Sequence, residues 1–224
     1  MSGALTLARP WLSFDLGAKM QVLSWAINRP GFVQASLILW REVRNADLPR
    51  DMDVRDWLAR ELHARGAQDA VTFLTSRDVT CHTRAQARAG SAHAECVATV
   101  GLSNAERVGA RIDRSHVDWG TVNVAVRMTS ALSQTGLIEA LSIATQARTA
   151  ALMDAGFILP CGGVATGTGT DCIAVAAPEG AQDYAGLHTE TGEALGAAVY
   201  RATAAGARDW LANPFVPPHK SSEP

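Results

Sequence analysis

Apolar and polar positions alternate in part along Trp11–Leu16, and Phe32–Trp40 is rich in β-formers, with Pro30-Gly31 as the turn between them. Two or three strands therefore open the chain. From Val54 to Arg65 the period changes: Val54, Trp57, Leu58 and Leu62 share one helical face, Asp53 stands at the N-cap and Gly66 at the stop. Ala70–Ser76, Val79–Thr83 and Ala92–Leu102 return to short β-like runs, separated by polar or Gly-containing breaks. Gly120–Val126 is expected as a further strand, with Asn123 on the face of Thr121 and Ala125.

The longest helix is expected over Ser133–Ala155, with Ser133 as N-cap, Leu137, Ile138, Leu141 and Leu152 among its apolar positions and Gly156 as C-cap. Asp171–Ala177 has the pattern of a final buried strand. A last helix follows over Glu190–Trp210, where Leu195, Ala198, Val199, Ala202 and Ala205 form one stripe of mostly small residues. That stripe suits close packing, either on a sheet or on a second copy of the chain in a homo-oligomer. Strands and helices do not alternate strictly. The fold expected is α+β: a single domain over residues 1–212, with a mixed, largely antiparallel sheet packed against helices. A Pro-rich flexible tail follows over 213–224.

Composition narrows the function. With 47% hydrophobic and 19% charged residues the chain of 224 has the apolar material for one core. Its 20 basic and 22 acidic side chains leave a formal charge of -2, so no net positive field draws it to nucleic acid or an anionic membrane. The N-terminal residues lack the basic start and apolar run of a secretory signal, and no segment reaches membrane-spanning length, so a cytoplasmic protein is expected. In that compartment Cys81, Cys96, Cys161 and Cys172 are expected as thiols.

The densest unusual segment is Ala165-Thr166-Gly167-Thr168-Gly169-Thr170-Asp171. Its glycines let a ligand approach the backbone, and in extended conformation Thr166, Thr168 and Thr170 present hydroxyls on one side. Such a loop suits an anion or an oxyanion. No Gly-Lys-Ser/Thr follows, so it is not a phosphate loop leading into a helix. Further along, Gly186-Leu187-His188-Thr189-Glu190 places His188 before a helix that Thr189 caps, with Glu193 expected to close a capping box. A ring at that helix N-terminus is favoured neutral and able to act as a base. Ser103 and Asn104 fall in the turn after a strand, where Ser103 is a formal nucleophile without the Gly-x-Ser-x-Gly elbow. Cys81-His82 and His93-x-x-Cys96 together form an inventory that zinc accepts, but adjacent strand residues point to opposite faces, and no metal site is assigned. Glu139, Gln146 and Arg148 have the pattern of a solvated helix face.

In order, Gly101-Leu102-Ser103-Asn104-Ala105, Gly120-Thr121-Val122-Asn123-Val124, the Thr-Gly-Thr-Gly-Thr-Asp stretch and Gly186-x-His188-Thr189-x-x-Gly192 resemble the motif series of the adenosylcobinamide amidohydrolase family. Val22–Ala26 and Ala144–Thr149 extend the likeness over most of residues 20–200. Gln146 and Arg148 depart from it, standing where an acid and a lysine are common, and Asn28-Arg29-Pro30-Gly31 replaces a more glycine-rich turn. The resemblance implies hydrolysis of the amide that joins aminopropanol to a corrinoid, yielding adenosylcobyric acid in cobalamin salvage. It implies no protein-bound cofactor, since the cobalt belongs to the substrate.

Such a reaction needs an activated water or nucleophile, donors for the oxyanion and an acid for the amine. Asp171, His188, Thr168 and Thr170 are the catalytic candidates, with His188 or Asp171 as base. Ser103, Asn104, Asn123, Thr166, Gly167, Gly169, Thr189 and Glu190 are the candidates for holding substrate. A covalent route through Ser103 or a threonine stays open, as do a corrinoid- or anion-binding module without catalysis and a hydrolase acting on complete cobamides.

Overall fold

A computed structural model describes residues 3–44, 47–49, 51–111 and 120–213. Strands β1 (Ala4–Ala8), β2 (Trp11–Ser24) and β3 (Gly31–Glu42) open the chain, and helix α1 (Val54–Arg65) leads into β4 (Val71–Thr75). Then come β5 (Thr83–Ala89), β6 (Ala92–Val100), the two-residue β7 (Ala105–Glu106), β8 (Val122–Met128), α2 (Gln134–Ala155), the two-residue β9 (Gly167–Thr168), β10 (Cys172–Ala177) and α3 (Glu190–Ala212). Eight strands form one mixed sheet in the order β4-β3-β2-β10-β8-β6-β5, with β1 paired to β2. Pairs β3–β4 and β10–β8 are parallel and the others antiparallel. The α+β single domain expected from the pattern is the fold found.

A bulge bends this sheet. Between Asp15 and Met20 the β2–β3 register shifts, and Gly17 takes φ +78°, a left-handed conformation that suits glycine. The even-numbered residues Leu12, Phe14, Leu16 and Val22 consequently pack with Trp40, Phe73, Val97 and Ala125 in one core, the early strands folding over the face of β6 and β8. Arg127 of β8 donates to Leu16 O across this interior at 2.9 Å. On the other face of β6, β8 and β10, Cys96, Val124, Val126, Ile173 and Val175 pack against Leu137, Ala144, Leu195 and Ala198 of α2 and α3. A third cluster seats Leu58 and Leu62 of α1 on Trp11 and Leu39.

The caps follow the sequence. Asp53 accepts from Arg55 N and Asp56 N, Ser133 from Gly136 N, and Gly66 and Gly156 close α1 and α2 in left-handed conformation. Thr189 accepts from Gly192 N. The reciprocal half of the expected capping box is absent there, because Gly192 and not Glu193 holds the third helical position, while the Glu190 carboxylate accepts from Ser91 N and Oγ.

Other expectations are corrected. Val79–Cys81 is a 3-10 turn capped by Asp78, not a strand. The missed β5 begins at Thr83; its sequence Thr-Arg-Ala-Gln-Ala-Arg-Ala alternates, but its inward positions are alanines, too weakly apolar to register as a strand face. Ile138, named among the apolar positions of α2, is exposed. The small-residue stripe of α3 packs on β5 and β6, where a Cβ on Gly206 would meet Val100 Cγ2 at 2.7 Å. No helix among the described residues is long and apolar enough to cross a membrane, and the tail from residue 214 lies outside the described residues.

Candidate active site

The Thr-Gly loop closes on its own last residue. Asp171, immediately before β10, lies beneath the loop at the ends of the parallel strands β8 and β10. Its Oδ1 accepts from Val122 N at 3.1 Å and from the Thr168 hydroxyl. Oδ2 accepts from Thr168 N at 3.0 Å and from Arg148 Nη1 at 2.6 Å. The same Nη1 donates to Thr166 O at 2.9 Å, so one guanidinium ties the loop to α2. Both partners of the ion pair are buried, their side chains 11% and 8% exposed. Burial pushes the Asp171 carboxyl above its ordinary range, against the opposing pull of Arg148 and the Thr168 hydrogen bonds.

Arg148 corrects the expectation of a solvated helix face. It stands four residues after Ala144 and four before Leu152, both buried, so it interrupts the apolar stripe of α2. An arginine on such a stripe needs a buried partner, and this was the legible signal for the ion pair. Glu139, likewise, accepts from Ala185 N at 2.7 Å.

Gly167 explains itself by close approach. A Cβ there would collide with Arg148 Nη1 and lie 2.6 Å from Asp171 Oδ2. Gly167→Ala is therefore expected to force the ion pair apart and to abolish most activity while lowering the melting temperature, which a thermal scan and an amide-release assay on the same preparation check.

Thr166, Thr168 and Gly169 line an open cleft of about 580 Å³, with Arg148 and Thr145 of α2 on one wall and Glu106 to Arg111 on the other. The wall is held by the β7–β9 pair and by Val108 N, which donates to Thr166 Oγ1 at 2.7 Å. Glu106, absent from the sequence-based candidates, is brought to the cleft by that pairing, its carboxylate facing Gly169. A separate recess of about 340 Å³ lies between Arg9, Arg41 and Glu42, whose side chains already pair with acids or main chain.

Behind the loop a polar network holds its far end. Thr170 donates to Gly120 O at 2.8 Å and accepts from Asn104 Nδ2 at 3.4 Å, and Thr121 donates to Thr170 O at 2.8 Å. Ser103 N abuts Gly120, where a Cβ would meet it at 2.8 Å. Asn123 is spent on structure: its Nδ2 donates to Leu74 O at 2.7 Å and its Oδ1 accepts from Thr121. Two buried polar atoms at the site, Asn104 Oδ1 and Arg148 Nε, have no hydrogen-bond partner among the described residues.

The family model for adenosylcobinamide amidohydrolase matches residues 3–214. The chain belongs to that family. No curated protein matches the chain. Membership makes this a hydrolase acting on an amide bond, which displaces the reading as a module that only binds, and the family's substrate is a corrinoid small molecule.

The structure does not bring the second expected cluster to this cleft. His188 is exposed, and Glu190 beside it bonds Ser91 in the β5–β6 turn. That turn adjoins Thr129 after β8, where Thr129 Oγ1 accepts from His93 N, whereas Asp171 bonds Val122 at the start of β8. The length of β8 separates them, about 20 Å for a strand of this size. His188, Thr189 and Glu190 thus lie at the opposite end of the sheet from Asp171, Thr168 and Thr170. The Cys and His inventory also disperses: Cys96 faces the core under α3, and His82 Nδ1 sits 2.8 Å from Val79 O.

Proposed function

We propose that this enzyme cleaves the amide between aminopropanol and the corrin ring of adenosylcobinamide, releasing adenosylcobyric acid, with Thr168 as nucleophile and Asp171 as proton acceptor. The observation that carries this reading is the Thr168 hydroxyl donating to a buried carboxylate that Arg148 holds from the other side. A nucleophile, a base within hydrogen-bond reach and a third group orienting the base are what amide attack requires.

In the proposed sequence Thr168 Oγ attacks the carbonyl carbon and its proton passes to Asp171 Oδ1. The carbonyl electron pair moves onto oxygen, where the main-chain N–H of Gly169 donates to it. Collapse breaks the C–N bond, the proton returns from Asp171 to the departing amine, and the acyl group remains as an ester on Thr168. Water then attacks the ester carbon while Glu106 on the facing wall takes its proton, the C–O bond to Thr168 breaks, and that proton passes to Thr168 Oγ as the acid is released. Thr170, Asn104 and Ser103 hold the loop against β8 and Gly120, Thr166 fixes the outer wall, and Gly167 leaves room for the guanidinium. His188 has no part in this reading, since an amide at Thr168 is out of its reach.

The test is to incubate the protein with adenosylcobinamide and, in parallel, with a complete cobamide, and to follow cobyric acid and free amine by mass spectrometry. Thr168→Ser is expected to keep measurable turnover and Thr168→Val to lose about a hundredfold or more. Acid-quenched wild-type protein should carry a corrinoid acyl mass on the peptide containing Thr168. Turnover in Thr168→Val near the wild-type rate refutes the covalent route and leaves direct attack by water.

A further inference from the structure

Trp25 directly follows β2 beside Asp171 and is 47% exposed. Its indole N–H donates to Asp171 O at 2.7 Å, so the ring is fixed to the main chain of the residue that carries the chemistry. Trp25 also stands next to Ser24, whose Oγ lies 3.7 Å from Cys172 Sγ on the neighbouring strand β10. Two residues earlier Leu23 pairs with Phe32, itself 44% exposed. With its one polar atom committed inward, the indole presents an apolar face to solvent. A singly exposed apolar side chain is ordinary at a protein surface; what sets this one apart is that its hydrogen bond fixes the ring beside Asp171.

The size of the cleft says what meets that surface. Clefts of roughly 300–1,000 Å³ enclose drug-sized ligands, and a corrinoid is larger than those, so a space of about 580 Å³ takes the amide arm and leaves the macrocycle outside. The ring then lies on the protein surface next to Asp171. A broad, flat, largely apolar macrocycle is complementary to an indole face, and the hydrogen bond to Asp171 O sets the distance between that face and the reacting amide.

We propose that Trp25 is the platform on which the corrin macrocycle rests, a binding residue that selects for the ring while Thr168 and Asp171 act on the arm; this rests on the reading of the cleft given above. Its role is recognition of the ring, not proton transfer.

The test compares Trp25→Ala and Trp25→Phe with wild type in two assays. In the first, affinity for cobyric acid, which keeps the macrocycle but lacks the scissile amide, is measured by equilibrium dialysis with visible absorbance. Trp25→Ala should weaken it about tenfold and Trp25→Phe by less than about threefold, since phenylalanine keeps an aromatic face. In the second, steady-state cleavage of adenosylcobinamide should show KM raised about tenfold in Trp25→Ala with kcat within about threefold. Unchanged cobyric acid affinity in Trp25→Ala overturns the platform. So does a fall in kcat at constant KM, which identifies Trp25 as a support for Asp171. If wild-type protein binds cobyric acid through Trp25 yet never cleaves cobinamide, the cleavage reading fails while the platform stands.

Discussion

Asp171→Asn lowers turnover of adenosylcobinamide by about a thousandfold, within the range expected when a positioned base is removed. The substitution is nearly isosteric, but the carboxylate accepts from four donors, Val122 N, Thr168 N, Thr168 Oγ1 and Arg148 Nη1. An amide offers one acceptor oxygen and replaces the other with a donor, so at least one of these contacts becomes a clash of donors. Release of free aminopropanol measured over hours, with circular dichroism on the same sample, separates loss of chemistry from loss of fold. A folded Asp171→Asn protein with more than a tenth of wild-type turnover excludes Asp171 as the base.

The second large effect concerns stability. Arg148→Met leaves the Asp171 carboxylate buried without its cation, and breaking a buried pair on one side costs about 3–5 kcal/mol. For a chain of this size that lowers Tm by about ten degrees, readable in a thermal scan. Arg148→Lys keeps the charge and should recover most of the loss, since both contacts, to Asp171 Oδ2 and Thr166 O, come from the single nitrogen Nη1 and an ammonium has donors enough for the two.

The pH dependence follows from the same pair. In the proposed role of base Asp171 must be ionised, and its folded pKa is raised by burial. The acid limb of kcat/KM should therefore lie above the ordinary carboxylate range, and Arg148→Met should move it further up, because the cation is what opposes burial. The linkage has the matching sign: a raised folded pKa contributes stability that is complete below the unfolded value and is lost as pH rises through the folded one. A pH-rate profile whose acid limb is indifferent to Arg148→Met removes Asp171 from the titration.

Much of this architecture was legible from pattern and punctuation. Asp53, Gly66, Ser133, Gly156 and Thr189 stand where the chain's helices begin and end. What pattern missed was either too weak or too long in range. The alanines of β5 carry little strand signal. The strands β7 and β9 are two residues each and exist only because Ala105 and Thr168, remote in sequence, meet in register. The loop of Thr166–Asp171 stood out by composition, yet its partner Arg148 is on another element, and only its place on an apolar stripe announced it. His188 shows the opposite case: local chemistry made it a fair base, but the direction of β10 carries the chain away from the loop before His188 is reached, so the two candidate groups lie apart.

Strand β10 enters the sheet between β2 and β8, so the middle of the sheet is the last part of it to be synthesised. Until residue 177 has left the ribosome, β2 and β8 each present an open edge of apolar strand, and the first and middle thirds of the chain have no contact through the sheet's centre. The nascent chain thus waits through most of translation with two adhesive borders exposed, a state prone to intermolecular pairing. A single late insertion then joins the borders and, in the same step, brings Asp171 under its loop, so that a chain closed at its centre is also a chain with an assembled site.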